Sequence, residues 1–346
     1  MKKRVHSLAK LIKKKKVDGF LTKNQADISY LTGIIQPEGW LLCSCNQELI
    51  FFTNPISPKP SKDKSYLKTV IVKTSFIKQI SLSAKKIKLK KIGFSDNDLS
   101  LNCYRRLKEN LIIKKIDLVP SGSLIKKLRI CKDKNEIKLI KKAASFSLEA
   151  FAYAKEIFSQ TMTEKDLSIE IERFLKIKAD NQIAFPVIVA SGKNSIFAHH
   201  NPKEILINNY FLIDLGAMHY GYCADLTRVF FWGKMPSLFQ KAYNTIKKAQ
   251  EAAINQVKEG KKASDIDKAA RDVISKNGFG KYFTHGLGHG VGLEVHEPPY
   301  LKPGRDEILK EGMVVTIEPG IYYKNQFGIR LENMVIVKTK NAEVIA

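Results

Sequence analysis

The spacing of apolar positions changes character near Asp133. Before it, short apolar runs at 19–21, 40–45, 49–52, 70–72, 91–94 and 112–119 alternate with amphipathic stretches such as 75–86 and 99–110. Short runs separated by helical periodicity predict a sheet layered with helices, an α/β arrangement. Val5, Leu8, Leu11 and Ile12 sit at helical spacing on a basic segment. So small an apolar face predicts a helix packed on that sheet and not one lying on a membrane. Beyond Asp133 the pattern predicts a helix over 136–158, then a second one capped by Thr163 with Asp166 and running through Lys178. Strands over 185–191 and 210–232 follow, then helices over 238–257 and 263–277, and strands again over 313–337. No internal repeat or low-complexity linker interrupts the pattern.

Charge divides the chain at about the same place. Residues 1–142 hold 33 Lys and Arg against 11 Asp and Glu, and the remainder 26 against 23, which places a boundary between 120 and 135. A length of 346 residues fits about two domains, and 44% hydrophobic residues is enough for well-formed cores. The basic excess is almost all Lys at helix-surface spacing, without a zinc-finger or RNP-like pattern, so solvated surface is expected ahead of polyanion binding. No apolar run approaches the roughly 18 residues that cross a bilayer, and the lysine-rich start is unlike a secretory leader. Five scattered cysteines with no CxxC spacing predict reduced thiols in a cytoplasmic protein.

The candidate chemistry lies in the second half. Asp214 ends the apolar run Phe211-Leu212-Ile213, and a buried carboxylate there needs a cation or donors. Asp225 follows eleven residues later, and a hairpin through His219-Tyr220-Gly221 brings the two acids together. His285, His289 and His296 lie in a glycine-rich stretch, and Glu318 and Glu332 on strand-like segments. Two Asp, two Glu and one His form a hard, oxygen-rich donor set, suited to Mn²⁺ or another first-row divalent ion and poorly matched to a structural zinc cage.

In order and context these residues closely resemble the pita-bread metallopeptidases, the family of methionine aminopeptidase, aminopeptidase P, prolidase and creatinase. The resemblance implies an α/β creatinase-like N-terminal domain over 1–125 followed by an α+β pita-bread catalytic domain over 126–346. It implies two divalent metal ions, Mn²⁺ first with Co²⁺ or Zn²⁺ as alternatives, held by Asp214, Asp225, His289, Glu318 and Glu332. Asp225 and Glu332 bridge both ions in that family. Segments 24–33 and 128–137 resemble the N-terminal domain and the start of the catalytic domain in the creatinase type, and methionine aminopeptidases generally lack that extra domain.

The branch follows from four further positions. The loop 191–195 with His199, the spacing of His285, His289 and His296, and Arg330 two residues before Glu332 resemble the proline-specific members. Of the doubled His199-His200, spacing selects His199. By resemblance Glu318 shuttles a proton, His199 and His296 stabilise the tetrahedral intermediate or the departing proline nitrogen, and His285 and Arg330 orient ligands and substrate. The expectation is an Xaa-Pro peptidase of aminopeptidase P type, with Xaa-Pro dipeptidase (prolidase) as the alternative. A non-catalytic module docking RNA or protein through the basic half is the rival reading, and loss of ligands, which would favour it, is not seen. The implied partners are short peptides with proline second and a second copy in a homodimer; neither membrane nor nucleic acid is expected.

Overall fold

The computed structural model describes residues 1–57, 66–179 and 182–346, and it divides into two compact units, Met1–Arg129 and Ile130–Ala346. The first unit runs α1 (Lys2–Lys14), β1 (Gly19–Thr22), α2 (Gln25–Thr32), β2 (Trp40–Ser44), β3 (Leu49–Thr53), β4 (Leu67–Ile71), α3 (Phe76–Lys86), β5 (Lys91–Phe94), α4 (Leu101–Ile112), β6 (Asp117–Pro120) and α5 (Leu124–Arg129). Among the described residues its strands form one sheet in the order β4-β3-β2-β1-β5-β6. β1, β5 and β6 are parallel neighbours, while β2 runs against β1 and β3. Leu42, Phe52, Ile92 and Leu107 pack into the core, each such side chain contributing about 1.5–3 kcal/mol.

α1 behaves as its periodicity predicts, with Val5, Leu8, Ala9 and Ile12 buried and the lysines outside. The run at 112–119 does not hold as one strand. Ile112 is the last residue of α4, and the chain turns at Lys115, which has φ 57°, before the strand begins at Asp117. α2 carries too few apolar repeats to stand out in the sequence; it is set by Asn24, whose side chain accepts from Asp27 N–H, and by Gly33 at φ 67°.

The second unit begins with α6 (Lys134–Ile157) and α7 (Glu164–Lys178), both opened by capping boxes, Asp133 with Glu136 and Thr163 with Asp166. Next come β7 (Ile188–Ser191), a 3₁₀ turn at Gly192–Ile196, β8 (Tyr210–Leu215), β9 (Met218–His219), β10 (Tyr222–Cys223) and β11 (Leu226–Phe231). Helices α8 (Ser237–Ile254) and α9 (Ala263–Lys276) follow, then β12 (Gly288–Gly290), β13 (Glu297–Leu301), β14 (Val314–Ile317), β15 (Gly320–Tyr323), β16 (Phe327–Arg330), β17 (Asn333–Val337) and β18 (Ala342–Val344). β7 is shorter than the apolar run at 185–191, because Pro186 offers no N–H to a ladder; Phe185 and Pro186 instead line a cavity.

Helices cover both faces of this β structure. Along β17, Met334 and Ile336 pack with the residues of α6 and α7, while Val335 and Val337 pack with those of α8 and α9. That alternation is the period of two of a strand buried on both sides. No helix among the described residues is long and apolar enough to cross a membrane.

Candidate metal centre

Three local devices bring the acids together. β8 and β11 pair antiparallel with Asp214 opposite Thr227, which leaves Asp225 just before β11. The chain between them folds back through β9 and β10, with Tyr220 at φ 47° and Gly221 at φ 81°, the consecutive left-handed pair that a tight hairpin turn requires. His289 lies on β12 between two glycines that cannot be replaced. A Cβ on Gly288 would sit 2.1 Å from the Thr316 carbonyl oxygen, and one on Gly290 2.3 Å from that of Pro298. Finally, β14 delivers Glu318, and the turn between β16 and β17 delivers Glu332.

Ligand atoms of Asp214, Asp225 and Glu332 lie within 4.8 Å of one another, and so do those of His289, Glu318 and Glu332 and those of Asp225, His289 and His296. Glu332, Asp225 and His289 each belong to two of these groups. Asp214 Oδ1 and Glu332 Oε1 are buried and accept no hydrogen bond among the described residues. The other oxygens are held: Arg330 Nη2 donates to Asp214 Oδ2 at 2.5 Å, and Thr227 Oγ1 to Glu332 Oε2 at 2.7 Å. Thr316 Oγ1 donates to Glu318 Oε1 at 3.1 Å.

The electrostatics of this cluster are strained. Burial, followed by the charges of Glu332, Asp214 and Glu318, pushes the Asp225 carboxyl well above its ordinary range. Burial and then Glu318 and Asp214 do the same to Glu332. Burial also raises Asp214, against the pull of Arg330. Burial opposes ionisation of Glu318 too, but the hydrogen bond and charge of His289, with Arg330 and His285, outweigh it and hold the group down at about 2.

The imidazoles show where a cation fits. His289 Nδ1 lies 3.1 Å from the Gly290 carbonyl oxygen, which can only accept, so the proton sits on Nδ1. Nε2 lies 3.2 Å from Glu318 Oε1 and 3.5 Å from Asp225 Oδ2; protonated, it donates to Glu318, and once that proton gives way to a cation its lone pair faces both carboxylates. A ring nitrogen that can exchange its proton for a cation between two carboxylates, beside two buried oxygens with no donor among the described residues, is part of a donor set arranged for a metal ion. His285 is tied differently. Its Nδ1 donates to the Gly286 carbonyl oxygen at 2.7 Å, so Nε2 accepts from Tyr322 Oη at 3.0 Å, and that oxygen in turn accepts from Arg330 Nη1 at 3.0 Å. Burial keeps His285 below its ordinary pKa, consistent with the neutral ring this chain requires.

The cluster forms the floor of a cavity of about 490 Å³, with His199, His296, Phe185 and Tyr300 on its walls. The His296 ring stands edge-on to His289, 4.2 Å between centroids. Burial and then the charge of His289 lower its pKa, with a smaller contribution from His199. His199 is exposed at the rim, whereas its neighbour His200 is buried against Glu164, Nε2 to Oε2 at 2.8 Å.

The metallopeptidase family M24 model matches residues 138–339, and the creatinase/prolidase N-terminal domain model matches residues 4–131. The chain belongs to metallopeptidase family M24. Over 228 residues it is 43% identical to an uncharacterized peptidase of Methanocaldococcus jannaschii, a stretch that is 64% of this chain and 65% of that one. It is 31% identical to an Xaa-Pro dipeptidase of Pyrococcus furiosus, with 99% of this chain and 97% of the relative aligned. Among solved structures, an Xaa-Pro dipeptidase from Bacillus anthracis superposes with a TM-score of 0.94 at 31% identity, covering 99% and 96% of the two chains. An X-Pro aminopeptidase from Thermotoga maritima gives 0.84 at 30% identity, covering 97% of each.

All nine side-chain positions singled out in the sequence are now located in this M24 metallopeptidase. Asp214, Asp225, His289, Glu318 and Glu332 converge with His296; His285 and Arg330 meet through Tyr322; and His199 faces the cavity from its rim. Thr227, Thr316 and Tyr322 were not singled out. Thr316 stands two residues before Glu318, a same-face spacing on a strand that offered a signal. Thr227 and Tyr322 gain their roles from strand register, which the sequence does not display.

Proposed function

We propose that this metallopeptidase is a dinuclear Xaa-Pro dipeptidase, with Mn²⁺ as its working metal. The observation that carries the metal site is the pair of buried oxygens, Asp214 Oδ1 and Glu332 Oε1, that no donor among the described residues satisfies. Asp214, Asp225, His289, Glu318 and Glu332 would hold the ions; of the three residues shared between groups, Asp225 and Glu332 have a second carboxylate oxygen to offer and His289 does not, which supports a bridging role for the two acids. Bound there, the ions would lower the pKa of a water and polarise the scissile carbonyl.

The chain's own residues supply the rest. Glu318, ionised by its neighbours, accepts a proton from the attacking water and passes it on. The bond to a proline nitrogen lacks an N–H and leaves as a secondary amine that must be protonated. His199 and His296, on the cavity walls, donate to the carbonyl oxygen or to that nitrogen. Arg330 is consumed by Asp214, Thr227 and Tyr322, so it orients Asp214 and, through Tyr322, His285.

The sequence pattern put the aminopeptidase first. The dipeptidase is favoured here by the full-length relative and the 0.94 superposition, both on proteins described as Xaa-Pro dipeptidases. The aminopeptidase is the second reading, supported by the Thermotoga maritima structure. Hydrolysis of Ala-Pro and of Ala-Pro-Ala-Ala by one Mn²⁺-loaded preparation separates them: turnover confined to the dipeptide is expected, and faster turnover of the tetrapeptide would assign the aminopeptidase. Equal rates on Ala-Ala and Ala-Pro would remove proline specificity altogether. A homodimer in the cytoplasm completes the proposal, and the mass in solution tests the dimer.

A further inference from the structure

The first unit holds 28 Lys and Arg against nine Asp and Glu in residues 1–129. Along the sequence its lysines read as the surfaces of separate helices. Strand order changes that picture. β1, β5 and β6 lie side by side and parallel, Gly19 beside Ile92 and Lys91 beside Asp117, so the segments leading into them emerge at one edge, about 5 Å apart per strand. Those segments carry four lysines at 13–16, five between 85 and 91, and two at 114 and 115. All are exposed except Lys114, which is half-buried.

Each segment also closes its helix in the same unusual way. Lys16, Lys88 and Lys115 stand in the left-handed region, at φ 55°, 57° and 57°. The next residue donates back five positions: Val17 to the Ile12 carbonyl, Leu89 to Ala84 and Ile116 to Leu111. This closure favours glycine, which pays no Cβ penalty there. Glycine does end helices elsewhere in the molecule, as Gly33 after α2, at the opposite edge of the same sheet, and as Gly278 after α9. Three left-handed lysines at one edge, where glycine would fold more easily, point to a use for the charge.

The charge is also left available. Among the described residues none of these eleven lysines makes an ion pair, whereas Lys165, Lys176, Lys178 and Lys268 of the second unit pair with surface acids. The nearby Asp18 is occupied by the backbone N–H groups of Lys90 and Lys91, both at 2.8 Å. No arginine or aromatic residue lies in the three segments, which leaves nothing to read or stack on a base. The exposed apolar side chains there, Ile112 and Ile113, are too few to anchor a lipid surface.

We propose that this edge docks the phosphate backbone of nucleic acid through charge alone, without sequence preference. The interaction is independent of the peptidase reading and uses none of the residues of the metal centre. Binding of the full chain to a fluorescent 20-base-pair duplex, followed by anisotropy at several salt concentrations, tests it. Lys16→Asn, Lys88→Asn and Lys115→Asn are combined in one variant, since Asn tolerates the left-handed region and preserves the helix ends. Exposed lysines of the second unit give a control of equal charge change, Lys138→Gln with Lys155→Gln and Lys247→Gln.

The edge variant should melt no lower than the parent, bind at least tenfold more weakly at low salt, and lose about 2 to 3 from the slope of log affinity against log salt. The control should stay within about twofold of the parent, far less than three lost phosphate contacts would cost. Equal losses in the two variants would assign the binding to net charge and overturn the edge as a site. Absence of binding by the parent at low salt, or tighter binding to vesicles containing anionic lipid than to the duplex, would overturn the nucleic-acid assignment.

Discussion

Glu164 and Glu332 are buried to the same degree, at 0% and 1% exposure, yet the chain treats them oppositely. Glu164 receives four donors. Its Oε1 accepts from Ser191 N–H at 2.6 Å and Asn194 Nδ2 at 3.0 Å, and its Oε2 from Lys203 N–H at 3.1 Å and His200 Nε2 at 2.8 Å. Those partners bracket the segment that presents His199. The acids of the centre are crowded against one another, and Asp214 and Glu332 each keep an oxygen with no donor among the described residues. A buried carboxylate satisfied by the chain is part of the scaffold; a cluster left unsatisfied is built for a cation from outside. Burial alone therefore does not identify a functional acid, and the count of donors does.

The sharpest way to break this contrast is to replace one acid from each set. Asp225→Ala should cost on the order of a thousandfold or more in kcat/KM together with metal content, since several kcal/mol of transition-state stabilisation depend on the ions it would bridge. Elemental analysis finding two ions still bound to that variant would remove the bridging role. His296→Ala should lower kcat by about a hundredfold with metal content intact, as expected for a group that transfers or stabilises a proton beside the ligands.

Stability should separate the two sets by sign. In metal-free protein Asp225→Asn removes repulsion among buried acids and should raise stability by about 0.5–2 kcal/mol. Glu164→Gln puts an amide N–H₂ where donors converge and should lower it by about 1–3 kcal/mol while leaving the metal content alone. Thermal melts of the two variants giving shifts of the same sign would contradict the distinction. The smallest effect is on pH. Asp225 and Glu332 titrate above their unfolded values, so the stability they contribute is present at low pH and is lost as pH rises through the folded values. The melting point of the metal-free protein should fall from about pH 5 towards pH 8 for this reason, and a flat profile would count against the crowding.

Much of this arrangement is legible in the sequence. The strand runs and amphipathic helices of both units appeared as periodicity, and the cap of Thr163 with Asp166 marked one helix start to the residue, whereas α6 begins at Lys134, two residues before the expected 136, behind a capping box at Asp133. The five donor residues and the rim imidazoles stood out because glycines and strand-like contexts surround them. What escaped depends on partners distant in sequence. Thr227 bonds Glu332 across 105 positions, Arg330 bonds Asp214 across 116, and the three lysine turns meet only through strand order. The choice between His199 and His200 is also long-range, because Glu164 lies 36 positions before the ring it holds.

Metal stoichiometry followed against Ala-Pro hydrolysis in a single preparation tests the central claim most directly. Exhaustive chelation should abolish turnover, and titration with Mn²⁺ should restore it in proportion to occupancy, saturating at about two ions per chain, as expected for a site sharing two bridging acids. Full Ala-Pro turnover in protein verified to be metal-free would contradict the account.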